Sequence, residues 1–572
     1  MGNPTQTIKN KENFPLEYDA IVIGSGISGG WAAKELCELG LKTLLLERGR
    51  NVEHVKDYPT ANLNPWELTY RNNNTNEDSE VNPIQSRAYN EGNKHFFVND
   101  QENPYTQVTP FHWIRGYQMG GRSLTWGRQC YRLSDLDFEA NLKDGVAVDW
   151  PIRYENIAPW YDYVEEFIGV SGQAEGLPHL PDGKFLPVME MNDLELFFKE
   201  KVKNEFAGRC VTMGRSANLS RGWKGRGACQ YRNLCSRGCP FGGYFSSNSS
   251  TIPAAIATGN LTIRPFSVVK EIKFNKETQK ATGVQVIDAN NPDEVFEFSA
   301  KIIFLNASTI ASAAILLNSA NDYNPDGLGN SSGQLGHNLM DHHFRVGAQA
   351  QYDGLKDKYY VGRRPNNIYI PRFRNLNEAT KRADYIRGFA YQGGAFRQNW
   401  EDIGTGLDDF GESFKQKITE PGPWSMVISA WGETLPYYDN KVSLSRSKKD
   451  KWGLPIVEVK FNFKDNERVM RKDMQSSAVE MLEKSGMTKV SAFDYDNVGG
   501  DCVHEMGTAR MGADPKTSVL NKFNQMHDVK NIFITDGSCM TSSGCQNPSL
   551  TYMALTARAC HYAFNQLKKG NL

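Results

Sequence analysis

The sequence predicts an α/β fold: a Rossmann-like dinucleotide-binding domain joined to an α+β domain built on an antiparallel sheet. Three observations carry this. An apolar, β-branched run from Tyr18 to Ile23 feeds directly into Gly24-Ser-Gly26-Ile-Ser-Gly29. A second apolar run, Lys301 to Ala307, precedes an Ala-rich helical segment at 309–317. From about 345 to 490 the chain alternates apolar and polar residues between turn signals, as half-buried strands do.

Bulk properties bound the rest. A chain of 572 residues exceeds one ordinary core, so two or three domains are expected. With 39% hydrophobic and 23% charged residues it has a globular composition, and a net charge of −1 favours neither nucleic acid nor an anionic membrane surface. No apolar run reaches the roughly 18 residues of a spanning helix. The first 17 residues are polar and lack the core of a secretory signal. Ten cysteines are too few for a disulfide scaffold, but Cys229, Cys235 and Cys239 are clustered.

Taken in order, Gly24 permits the tight strand-to-helix turn. Gly26 allows close approach of a pyrophosphate, and Gly29 lets helix lie on strand. The helix presents Ala33, Leu36 and Leu39 on one face and stops at Gly40, a good cap. Lys42 to Leu46 reads as the next strand and ends at Glu47, an acid placed about 20 residues beyond the glycines to hold ribose hydroxyls. Residues 50–109 are polar and irregular, a surface excursion or lid. Strand pairs are expected at 261–269 and 271–275. Near the other end, Ile532 to Thr535 is a short strand reaching Asp536-Gly537. An amphipathic helix follows at 548–567, with Asn547 as N-cap and Pro548 in its first turn. Its positive end suits an anionic ring system.

Four separated segments resemble the glucose–methanol–choline oxidoreductase family: the glycine fingerprint, MGGRS at 119–123, GQLGHNLMDHH at 333–343, and HEMGTARMG with DGSCMTSSGCQNPSLTYMAL near the end. The resemblance implies an FAD-binding domain (1–49, 110–130, 240–345 and 500–572) interleaved with a substrate domain at 346–499. An insertion at 131–239 would carry the cysteines. It also implies that His504 is the catalytic base and Asn547 its partner, orienting the hydroxyl. Gly120, Gly121, Ser123, Thr125, Trp126, Val269, Ala307, Asp536 and Gly537 join the fingerprint around the flavin. Some relatives tether FAD through a histidine where this chain has Thr125, so FAD is expected to be held non-covalently. His342 and His343 lie in a packing-type motif and are expected to be structural.

Residues 227–243 read GACQYRNLCSRGCPFGG. Three thiols in a glycine-rich loop, the last followed by proline, suit an iron–sulfur cluster, structural zinc, or a disulfide with a spare thiol; Cys210 is the nearest fourth ligand. Similarity to the bacterial sugar dehydrogenase subunits of the family implies a 3Fe–4S cluster on Cys229, Cys235 and Cys239. Arg221, Lys224 and Arg226, just before them, form either a docking face or a solvated loop. For substrate contacts the sequence offers Trp431 and Glu433, an aromatic face and a carboxylate of the kind that holds sugars.

Together these imply an FAD-dependent dehydrogenase for a secondary hydroxyl of a sugar or glycoside, in character nearest a glucoside 3-dehydrogenase. A gluconate 2-, fructose 5- or glucose 1-dehydrogenase type subunit is the near alternative. Farther ones are an oxygen-using alcohol oxidase and a non-catalytic electron-relay subunit. Subgroup members work with a small signal-bearing subunit and a cytochrome c-type acceptor. A periplasmic location reached with that partner is therefore expected, with the cytoplasm as alternative.

Overall fold

The computed structural model describes residues 15–572 apart from 361, 363, 398–409 and 496–497. Strand β1 (Glu17–Ile23), helix α1 (Ile27–Glu38) and strand β2 (Thr43–Leu46) open the chain. They are joined much later by β3 (Leu261–Arg264), β4 (Ser267–Asn275), β5 (Lys280–Asp288), β6 (Val295–Leu305) and α2 (Thr309–Asn318). The expected run 261–269 is split, because Phe266 takes a positive φ of 54° and turns β3 into β4.

The first sheet has seven strands, five of them parallel in the order β3, β2, β1, β6 and the late strand Ile532–Ile534. Their apolar residues run without alternation, as expected where both faces are covered. On one face Ala32, Ala33 and Leu36 of α1 meet Ala559, Cys560 and Ala563 of the C-terminal helix, Ser549–Lys568. The first half of β6 extends this sheet by pairing antiparallel with β5, which pairs with β4.

Register fixes where the site falls. Ile23 lies opposite Leu46 and Leu305, Leu46 opposite Arg264, and Leu305 opposite Ile534. Every strand therefore ends on one edge, and the next residues (Gly24, Glu47, Asn306 and Thr535) emerge side by side. Open α/β sheets bind ligands along such a carboxyl edge.

The second sheet is antiparallel and six-stranded: β10 (Thr488–Asp494), β7 (His343–Tyr352), β9 (Trp424–Gly432), β8 (Phe389–Arg397), then Ile368–Ile370 and Thr212–Met213. One face, with Val346, Tyr391, Met426 and Ile428, packs on Met470, Met474 and Ala478 of α3 (Asp465–Lys484). Gln392 of β8 pairs with Ser429 of β9 on the opposite face, two residues before Trp431.

Domain limits differ from the sequence expectation. Thr212–Met213, expected in the insertion, closes the substrate sheet. Lys441–Lys449 and Pro455–Lys460, expected within that sheet, form a separate one with Thr106–Gln107 from the excursion. Among the described residues no helix is long and apolar enough to cross a membrane.

Candidate active site

A cavity of about 520 Å³ runs along the carboxyl edge of the parallel sheet, within the usual size of ligand clefts. Gly24, with φ +93°, makes the turn out of β1, and a Cβ on Gly29 would stand 1.8 Å from the Gly24 carbonyl oxygen. Helix α1 therefore begins directly on the strand end. Glu47 is buried and accepts from Ser25 N (3.2 Å), Ser25 Oγ (2.5 Å) and Gly49 N (2.9 Å). Burial pushes its carboxyl pKa up despite these donors.

The MGGRS segment closes the cradle from the other side. Gly120 N–H donates to Ser25 Oγ at 2.9 Å, and Gly121 lies against Gly26. Ser123 Oγ donates to the Gly120 carbonyl and accepts from Ser247 N at 3.0 Å. Gly24, Gly26, Glu47, Gly121, Ser123, Thr125, Trp126, Val269, Ala307, Asp536 and Gly537 all line the cavity, while Gly29 and Gly120 support it from behind. Asp536 is buried and accepts from Ser308 N, Ser312 Oγ and Ser538 N; burial, the largest effect on it, raises its pKa. The C-terminal helix starts at the cavity wall with Pro548, rather than Asn547, as its N-cap. A cradle of backbone N–H groups, a buried ribose-type carboxylate and a helix N-terminus fits a dinucleotide cofactor.

His504 and Asn547 meet at the far end of this cavity, both half-buried, with Asn547 Nδ2 at 3.4 Å from His504 Nε2. Behind them, Gln392 Nε2 donates to Asn547 Oδ1 at 2.7 Å. His504 Nδ1 faces inward, 2.9 Å from His342 Nδ1 and 3.3 Å from Cys502 Sγ. Its backbone N–H donates to Asp341 Oδ1 (3.0 Å). Burial first, then His342 and the Arg122 cation, hold the His504 pKa well below the ordinary imidazole range, so the ring is a neutral base at pH 7. His342, expected to be structural, is fully buried and meets His504 across 162 residues of sequence. His343 is buried.

Trp431 stands on the sheet face shared with Gln392 and does not line the cavity. Glu433 is corrected. It is 1% exposed, paired with Arg387 at 3.1 Å, and does not line the cavity. The strand ends at Gly432, so the alternation that would have kept Glu433 beside Trp431 stops there.

In the cysteine loop, Tyr231 N donates to Cys229 Sγ (3.4 Å), Gly243 N to Cys239 Sγ (3.3 Å) and Asn218 Nδ2 approaches Cys235 Sγ (3.8 Å). Cys210 lies apart, against Glu175. Two contacts tie this loop to the cavity: Trp126 Nε1–H donates to the Phe245 carbonyl (2.9 Å) and the Tyr244 hydroxyl donates to the Leu124 carbonyl (2.6 Å).

Fold and site together define a flavin-type oxidoreductase. Residues 18–344 and 436–556 match the N- and C-terminal profiles of the GMC oxidoreductases, and the chain belongs to that family of FAD-dependent enzymes acting on alcohol or sugar CH–OH groups. It is 28% identical over 556 residues to the 2-methyl-1,2-propanediol dehydrogenase of Mycolicibacterium austroafricanum, covering 96% of this chain and 95% of that one. The fructose dehydrogenase large subunit of Gluconobacter japonicus is 27% identical over 575 residues, covering 98% and 100%. Among solved structures, a formate oxidase of Aspergillus oryzae superposes with a TM-score of 0.61 at 14% identity, covering 98% of this chain and all of that one. That likeness shows the shared fold.

Proposed function

We propose that this chain is the catalytic subunit of a dehydrogenase oxidising a secondary hydroxyl of a sugar or glycoside, C3 of a glucoside being the best fit. The observation that carries it is the His504–Asn547 pair at the cavity wall. The two nitrogens stand 3.4 Å apart on the cavity wall, so a hydroxyl oxygen that faces both from the cavity would donate its proton to His504 Nε2 and accept from Asn547 Nδ2. FAD, when bound, supplies the hydride acceptor. Asn547 is held by Gln392, so it orients the carbinol C–H.

Cys229, Cys235 and Cys239 would hold a 3Fe–4S cluster, whose chemistry is one-electron transfer to a cytochrome c-type acceptor. Their sulfurs receive backbone and amide N–H donors, as cluster ligands do. Among the described residues the group of three ligand atoms mutually within 4.8 Å is His342, Cys502 and His504, not these cysteines. A small signal-bearing subunit would carry the chain to the periplasm.

The test is iron and sulfide content with low-temperature EPR on anaerobically purified protein, before and after glucosides and related sugars. A near-isotropic three-iron signal that one sugar bleaches supports the reading. Iron-free protein that bleaches with sugar and forms hydrogen peroxide in step overturns it in favour of an oxidase.

A further inference from the structure

A chain of hydrogen bonds crosses the active site, and one link in it cannot be reversed. His342 Nε2 lies 2.7 Å from the Gly544 carbonyl oxygen, and a carbonyl only accepts. His342 therefore carries its proton on Nε2. His342 is fully buried, and burial holds its pKa down near 4, so at pH 7 it is neutral and its Nδ1 is bare. The bare Nδ1 faces His504 Nδ1 at 2.9 Å and can only accept, so His504 carries its proton on Nδ1. A neutral His504 then has a bare Nε2 pointing at the cavity.

The polarity runs on to Asn547. A bare Nε2 calls for a donor, so the amide presents Nδ2 to His504 and turns Oδ1 to Gln392 Nε2. Each amide and ring in the series has two settings; the Gly544 carbonyl selects one for all of them.

We infer that His342, anchored on the Gly544 carbonyl, is a positioning residue that sets the tautomer of His504, with Gln392 setting the amide of Asn547 at the other end. The inference rests on the reading of His504 as base. Other groups facing His504 do not compete for the role. Cys502 is a thiol kept protonated by burial, whose sulfur at 3.3 Å can share the Nδ1–H of His504 only as a weak acceptor, Asp341 takes the backbone N–H, and Arg122 is engaged by Glu505.

The decisive experiment needs no substrate. Ring-nitrogen NMR on the FAD-loaded protein labelled with ¹⁵N-histidine, assigned by single replacement of His342 and His504, reads which nitrogen of each ring carries hydrogen. Hydrogen on His342 Nε2 and on His504 Nδ1 is expected; hydrogen on His504 Nε2 in the neutral ring overturns the inference.

Variants supply the catalytic consequence, read as the rate at which methyl glucoside bleaches the flavin. His342→Asn places an oxygen where Nδ1 stood and should stay within about fivefold of the parent. His342→Gln keeps a donor for Gly544 but withdraws the acceptor. It should slow bleaching on the order of 10²-fold at unchanged flavin content and Tm. Equal rates in the two variants overturn the inference. If the NMR result holds while methyl glucoside fails to bleach the parent enzyme, the substrate reading falls and the tautomer assignment stands.

Discussion

Glu505 grips the Arg122 guanidinium at 2.7 Å, joining segments 383 residues apart beside His504. Arg122 also reaches the Val503 carbonyl. This pair fixes a cation near His504, where it disfavours the imidazolium.

The sign for pH follows. The base works when neutral, so kcat/KM rises with pH through the His504 pKa and is level once that pKa is passed. Because burial, His342 and Arg122 all lower it, the parent enzyme should reach its plateau below pH ~6.5, the ordinary imidazole value. Arg122→Gln removes the cation and leaves the Glu505 carboxylate, both of which favour the charged ring. Its acid limb should move to higher pH. An acid limb that stays in place would refute the electrostatic role.

Replacing the base itself should be costly. His504→Ala is expected to lower turnover by about 10²–10⁴-fold without loss of bound FAD. Asn547→Ala should act mainly on kcat, since its amide orients rather than anchors. Flavin absorbance per chain and steady-state rates separate these effects; a near-parental rate for His504→Ala would leave the electron-relay alternative standing.

Glu433 makes the opposite prediction. It and Arg387 are buried together, with Asp144 and Asn141 completing the guanidinium's contacts. Glu433→Ala strands part of a buried charge and should destabilise the protein by about 3 kcal/mol, seen as a lower Tm, while KM stays near the parental value. A raised KM with unchanged Tm would restore Glu433 as a substrate contact.

Acid precipitation tests the flavin linkage. Thr125 lines the cavity and has no nucleophilic ring nitrogen, so the yellow colour should appear in the supernatant. A yellow pellet would show a covalent bond to another residue.

The parallel half of the fold was legible because its signals are local. The glycine turn, the strand ending at Glu47 and the strand ending at Asp536 each declare themselves within a few residues, and sheet register brings them to one edge. His504 and Asn547 became legible through family resemblance, since a lone histidine has no local signature. His342 and Gln392 were not legible at all. Their roles exist only through contacts 162 and 155 residues away in sequence. Glu433 was misread for a related reason: alternation assigns a face only while the strand lasts, and this one stops at Gly432.

The order in which the site's pieces occur along the chain has a consequence for biogenesis. The nucleotide end of the cradle is encoded at 24–47, but Asp536, Asn547 and the helix that closes the cavity are more than 480 residues downstream, and Ile532–Ile534 must still dock beside β6. A nascent chain that has already shaped its first βαβ unit thus remains without the parts that face the flavin ring. The cavity is therefore complete only once translation has passed residue 549, and it is the pairing of Ile532–Ile534 with β6 that brings the two distant ends of the chain to one site.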